Sequence, residues 1–215
     1  MPAVAGLSPV DDALRFGWFG KHPGLGDFVS RGVAEPLQAA MQDWLDGALG
    51  AWRAEAGEAW ADAFDAARPV RFWLGGGVLG EGRSGVMAPS RDRVGRRYPL
   101  IAWGAGAIAP PPLDADQSAF DALEAALDAV RADPDAPVPG DAAPPPVEDL
   151  LWAMNGSGDV AGLLSDIAAE DMARATQSRS YWWTAGGDAA RVVSATGLPD
   201  GRALAWVMTG RGDAG

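Results

Sequence analysis

The chain reads as an α/β protein with a mixed β-sheet flanked by helices, and three observations carry that reading. Short apolar and aromatic runs are interleaved with longer segments whose apolar residues recur at helical spacing, which points to a layered α/β architecture. The connection from Pro89 to Arg97 lies between two apolar runs and is too short for a parallel crossover. A hydrophobic fraction of 48% over 215 residues can supply a full core.

Arg15 to Gly20 (RFGWFG) is short and aromatic-rich, and Lys21-His22-Pro23-Gly24-Leu25-Gly26 follows it, so it reads as a strand entering a tight loop. Asp27-Phe28-Val29 is a second short strand or the exit of that loop. Pro36 suits the first turn of a helix, whose apolar stripe is Leu37, Met41, Trp44, Leu45, Ala48, Leu49 and Trp52. Glu58 to Ala67 gives a second helix with Trp60 and Phe64 on one face. Val70 to Leu74 is a strand stopped by Gly75-Gly76-Gly77, and Val86 to Ala88 and Tyr98 to Trp103 are two more. Gln117 to Arg131 is an amphipathic helix with Phe120, Leu123, Leu127 and Val130 inward. The Pro-, Asp- and Ala-rich stretch at about 133–146 is an exposed loop. A short helix near Val147 to Met154 follows, then strands near Tyr181 to Thr184, Arg191 to Ser194 and Ala203 to Met208. Residues 1–209 form one domain on this reading, because the part beyond the Pro-rich stretch is too short to bury much by itself; 210–215 are a flexible tail.

The net charge of −12 disfavours nucleic acid and anionic membrane as partners. No window supplies the roughly 18 apolar residues of a membrane span, and Met1 to Asp12 lacks the features of a secretory signal. With no cysteine there is no thiol chemistry, and the expected compartment is the cytoplasm. The 10 tryptophans divide between core rings and possible anchors for a partner.

The glycine-rich loop does not complete a Walker or dinucleotide fingerprint; the simpler reading is a tight turn whose glycines take positive φ. Lys21 and Asp27 are placed to pair across it, in a structural or a functional role. His22, the single histidine, has no company for a zinc site or a triad and reads as an ordinary loop residue. Pro89 to Arg97 carries four arginines. Either they grip carboxylates or phosphates, or the loop is held by Asp92 and Asp27 pairing with Arg93, Arg96 or Arg31. The remaining carboxylates are spread out, and no catalytic residue, cofactor site or metal site is expected.

Two segments carry a resemblance. The first is Phe16-Gly17-Trp18-Phe19-Gly20-Lys21, then Pro23, then Gly26-Asp27-Phe28-Val29-Ser30-Arg31-Gly32. The second is Gly85-Val86-Met87-Ala88-Pro89-Ser90-Arg91-Asp92-Arg93-Val94-Gly95-Arg96, running on to Tyr98-Pro99-Leu100. Together they resemble the TagF (ImpM) family of bacterial type VI secretion accessory proteins. His22 and Ala88 depart from the family pattern, at uncharged positions of its motifs. The resemblance implies an αβα layered sandwich. It also implies a non-catalytic, cytoplasmic, post-translational repressor of type VI secretion that binds an FHA-domain scaffold. Lys21, Asp27, Phe28, Arg31, Ser90, Asp92, Arg93 and Arg96 are its motif and interface candidates. Two rivals remain: a nucleotide- or phosphate-binding switch using Lys21, Asp27 and the 90–97 loop, and a structural subunit of the secretion machine.

Overall fold

The computed structural model describes residues 15–80, 82–105, 110–112, 116–133, 135, 176–184 and 189–211. Its strands are β1 (Arg15–Lys21), β2 (Phe28–Arg31), β3 (Val70–Leu74), β4 (Arg83–Ala88), β5 (Leu100–Ala105), β6 (Arg179–Thr184) and β7 (Arg191–Thr196). They form one sheet in the order β2-β1-β5-β4-β3-β6-β7. The helices are α1 (Glu35–Ala56), α2 (Trp60–Asp65), α3 (Gly76–Leu79), α4 (Ser118–Ala132) and α5 (Gly201–Thr209).

Alternation along the strands splits the core into two layers. Phe19, Phe72, Met87, Ile101 and Trp182 face α1, α2 and α5. Trp18, Val86, Leu100 and Ala102 face the Phe120, Leu123, Leu127 and Val130 stripe of α4. The molecule is thus an α/β protein with helices on both faces of an open sheet. The expected mixed sheet is antiparallel in every described ladder. Close neighbours are joined by short connections, whereas the chain re-enters the sheet several strands away after α1–α2 and after α4. No parallel pair becomes adjacent.

Pro36 lies in the first turn of α1, as its fixed φ favours, and Leu37, Met41, Leu45, Ala48, Leu49 and Trp52 are buried. Of the tryptophans among the described residues, none is exposed. They build the core, with Trp182 stacked on Phe72 at 4.9 Å and beside Trp44, and they do not form an external anchor.

One element is corrected in kind: Ala203 to Met208, expected as a strand, lies in α5. Asp200 caps it by accepting the Ala203 N–H at 2.8 Å, and Gly210 closes it at φ 70°. Leu204, Ala205, Val207 and Met208 turn one buried face inward, and Gly201 permits close packing on α1, since a Cβ there would fall 2.5 Å from the Ala48 carbonyl oxygen. The triple glycine after β3 opens the short helix α3 instead of a plain stop. Most of the Pro-rich stretch, the helix near 147–154 and the tail from 212 lie outside the described residues. No described helix is long and apolar enough to cross a membrane.

Candidate functional site

The two sequence motifs meet at one end of the sheet. β1 and β5 are register neighbours, with Gly20 opposite Leu100, so the loop after β1 and the connection into β5 leave the sheet side by side. Gly20 permits this approach: its φ is +130°, and a Cβ would fall 2.1 Å from the Pro99 carbonyl oxygen. A backbone bond then joins the two loops, Arg93 N–H to the Leu25 carbonyl at 2.8 Å, and another closes the second loop on itself, Asp92 N–H to the Arg96 carbonyl at 3.0 Å.

Asp92 is the centre of the arrangement, its side chain 0% exposed. Oδ2 accepts from Lys21 Nζ at 3.1 Å and Arg96 Nε at 2.6 Å. Oδ1 accepts from the backbone N–H of Val94 at 3.1 Å and of Arg96 at 2.8 Å. Burial pushes this carboxyl up, but the Arg96 N–H, the Lys21 ammonium and the Arg96 guanidinium together outweigh it and hold Asp92 well below the usual carboxylate range. Arg96 reaches across to the Gly26 carbonyl at 2.6 Å, closing the bridge between loops. Lys21 lies over the Phe28 ring at 5.3 Å, and Phe28 meets Tyr98 edge-on at 4.7 Å. Burial, then the Asp46 carboxylate, raises the Tyr98 hydroxyl far above its ordinary range.

The candidates therefore separate. Lys21, Asp92 and Arg96 come together with Phe28. Lys21 is paired with Asp92 and not with Asp27, which is exposed and, among the described residues, accepts only the Phe28 N–H at 2.9 Å. Arg31 pairs with Asp135 at 2.7 Å on the surface, with neither Asp27 nor Asp92. Ser90 is buried, its carbonyl accepting from Tyr98 N–H at 3.1 Å. Arg93 is exposed, and its guanidinium has no hydrogen bond or ion pair among the described residues. Beside it Val94 is 68% exposed and Phe28 36%.

The expected positive φ belongs to Gly20 and Gly95, not to Gly24 or Gly26. His22 is no ordinary loop residue. It is buried, its Nδ1 accepts from Gly24 N–H at 3.0 Å, and Nε2 therefore carries the proton donated to the Val130 carbonyl at 2.6 Å. The ring tethers the loop to the end of α4.

Two further charged groups escaped the sequence reading. Asp65 of α2 holds both Arg91 and Arg97, the latter at 2.7 Å. Arg71, buried in β3, binds Glu124 through Nε and Nη2, Asp121 at 2.6 Å and Gln117 at 3.1 Å. An arginine inside the run Val-Arg-Phe-Trp-Leu was itself a sign of a buried charge needing partners. Among the described residues no group of three His, Asp or Glu side chains is placed to hold a metal ion.

A family model for the TagF N-terminal domain, described as type VI secretion system-associated, matches residues 17–139, which include both loops. The chain is also similar in structure to PA0076 from Pseudomonas aeruginosa PAO1, whose crystal structure was determined at 2.05 Å resolution. The two are 29% identical, with 93% of this chain and 96% of that chain covered and a TM-score of 0.68. No curated protein matches the sequence.

Proposed function

The chain belongs to the TagF family of type VI secretion system-associated proteins, and on that premise we propose that it is a non-catalytic, cytoplasmic, post-translational repressor of type VI secretion. In this reading it acts by binding an FHA-domain scaffold of the apparatus. The observation that carries the reading is the division of labour at the loop cap. Lys21, Asp92 and Arg96 hold two loops in place, while exposed Val94 and Arg93, whose guanidinium is unpaired among the described residues, stand at the tip. An arginine beside apolar side chains on a braced loop is the composition of a protein-binding surface. In the nucleotide- or phosphate-switch alternative Lys21 is already committed, because its Nζ is engaged by buried Asp92, and the 90–97 loop would have to supply the cations.

Deletion should raise type VI secretion and overproduction should lower it, with component abundance unchanged. In purified form the chain should bind the FHA-domain protein of its own gene cluster by gel filtration or calorimetry. Loss of secretion on deletion would replace the repressor with a structural subunit. Absence of binding at tens of micromolar, where a modest micromolar interaction is visible, would count against direct sequestration.

A further inference from the structure

Next to the loop cap lies a pocket of about 280 Å³ lined by Pro23, Asp65, Pro89, Ser90, Arg91 and Arg131. Its wall comes from four places in the chain: the loop after β1, the end of α2, the β4–β5 connection and the last turn of α4. That volume lies at the lower end of the roughly 300–1,000 Å³ of drug-sized sites, and the lining is charged, which suits a small polar group.

Its charge is the informative feature. Asp65 puts one carboxylate against two guanidiniums: Arg91 contributes Nε and Nη2, and Arg97 does the same. Arg91 therefore keeps Nη1 free of Asp65. Among the described residues Arg131 pairs only with Asp128, at 3.7 Å, a distance too long for a good hydrogen bond, and Asp128 is itself 76% exposed. The pocket thus holds surplus positive charge on a chain whose net charge is −12. A second, independent sign is Ser90, a pocket-lining residue only 6% exposed, whose hydroxyl is shut off from solvent and has no hydrogen-bond partner among the described residues. Buried hydroxyls are nearly always satisfied, and a single χ1 rotation moves this one between staggered wells.

We infer that this pocket binds a phosphate-type oxyanion, with the Arg91 and Arg131 guanidiniums flanking it and the Ser90 hydroxyl as a neutral donor. The Arg131 guanidinium and the Nη1 that Arg91 keeps free of Asp65 supply several N–H donors to one tetrahedral anion, which a carboxylate would use less fully. The site stands apart from the repressor reading and can be tested on purified protein.

The experiment is thermal unfolding in sodium phosphate against sodium chloride at equal ionic strength, on the natural chain and on Arg131→Gln and Ser90→Ala. At ten times the dissociation constant, phosphate should raise Tm by about 3–6 °C in the natural chain. Arg131→Gln should remove that rise while leaving Tm in chloride unchanged, because the one ion pair it makes among the described residues, to Asp128, is long. Ser90→Ala should reduce the rise without lowering Tm in chloride. Phosphate also stabilises proteins generally by exclusion from their surface; an equal rise in all three proteins, or none in the natural chain, overturns the inference. A parallel titration with O-phosphothreonine separates the sources: at least tenfold tighter binding than inorganic phosphate points to a phosphorylated side chain, and equal binding to free phosphate.

Discussion

Asp92 and Asp65 each hold two cations within the same part of the molecule, but they do so in different media. Asp92 is shut off from water and accepts two backbone N–H groups besides Lys21 and Arg96. Asp65 is 23% exposed and is held by guanidiniums alone, with Arg91 48% exposed. In the first case the carboxylate organises a loop that has no regular secondary structure to satisfy its backbone. In the second it moderates the charge of a wet rim and leaves its arginines with unused donors. The same pair chemistry is a determinant of the fold in one place and an adjustable surface property in the other.

The largest expected effect comes from breaking the buried member. Asp92→Ala strands Lys21 and two backbone N–H groups, and should lower Tm by about 6–20 °C; Asp65→Ala should lower it by about 1–4 °C. Equal losses in the two melting curves would erase the contrast. Acid sharpens it next. Both carboxyls are held below their unfolded value, Asp92 because the Arg96 N–H, Lys21 and Arg96 overcome its desolvation, Asp65 chiefly through Arg97. Their stabilisation is complete above the unfolded value of about 3.9 and is lost as pH falls towards the folded values. Asp92→Asn should therefore flatten the fall of Tm below about pH 4 more than Asp65→Asn does. An unchanged acid limb in Asp92→Asn would show that other carboxylates govern it. The smallest change in stability belongs to Arg93→Ala, within about 2 °C in Tm, although binding to the FHA-domain partner should weaken. Normal binding and repression in that variant would detach the loop tip from the proposed interface.

What was legible in the sequence was mostly periodic. The α1 and α4 stripes each repeat over several turns, and the core buries every residue they mark except Trp44, which is partly buried against it. Ala203 to Met208 is a short apolar run, which fits a strand or a helix equally well. The deciding signals, Asp200 before it and Gly210 after it, lie at its margins. Charged partners were harder, because pairing depends on register across the sheet. Asp27 is six residues from Lys21 and looked the natural partner, whereas Asp92 is distant in sequence and is brought to Lys21 only when β1 and β5 align. Arg71 with Glu124 is the same case, joined when α4 packs on β4 and β5, beside β3.

The order of strands has a consequence for the chain as a physical object. The family match ends at residue 139, and up to that point the described sheet would stop at β3, whose five residues are all buried. A fragment cut there would present an open row of peptide groups flanked by Val70, Phe72, Trp73 and Leu74, with Arg71 as the one charge in the strand and Pro69 just before it to deter a second chain from pairing. β6 covers that row, and β7, in which less buried and exposed positions alternate, becomes the outer strand instead. The C-terminal hairpin thus moves the boundary of the sheet from a surface prone to self-association to one that water can wet.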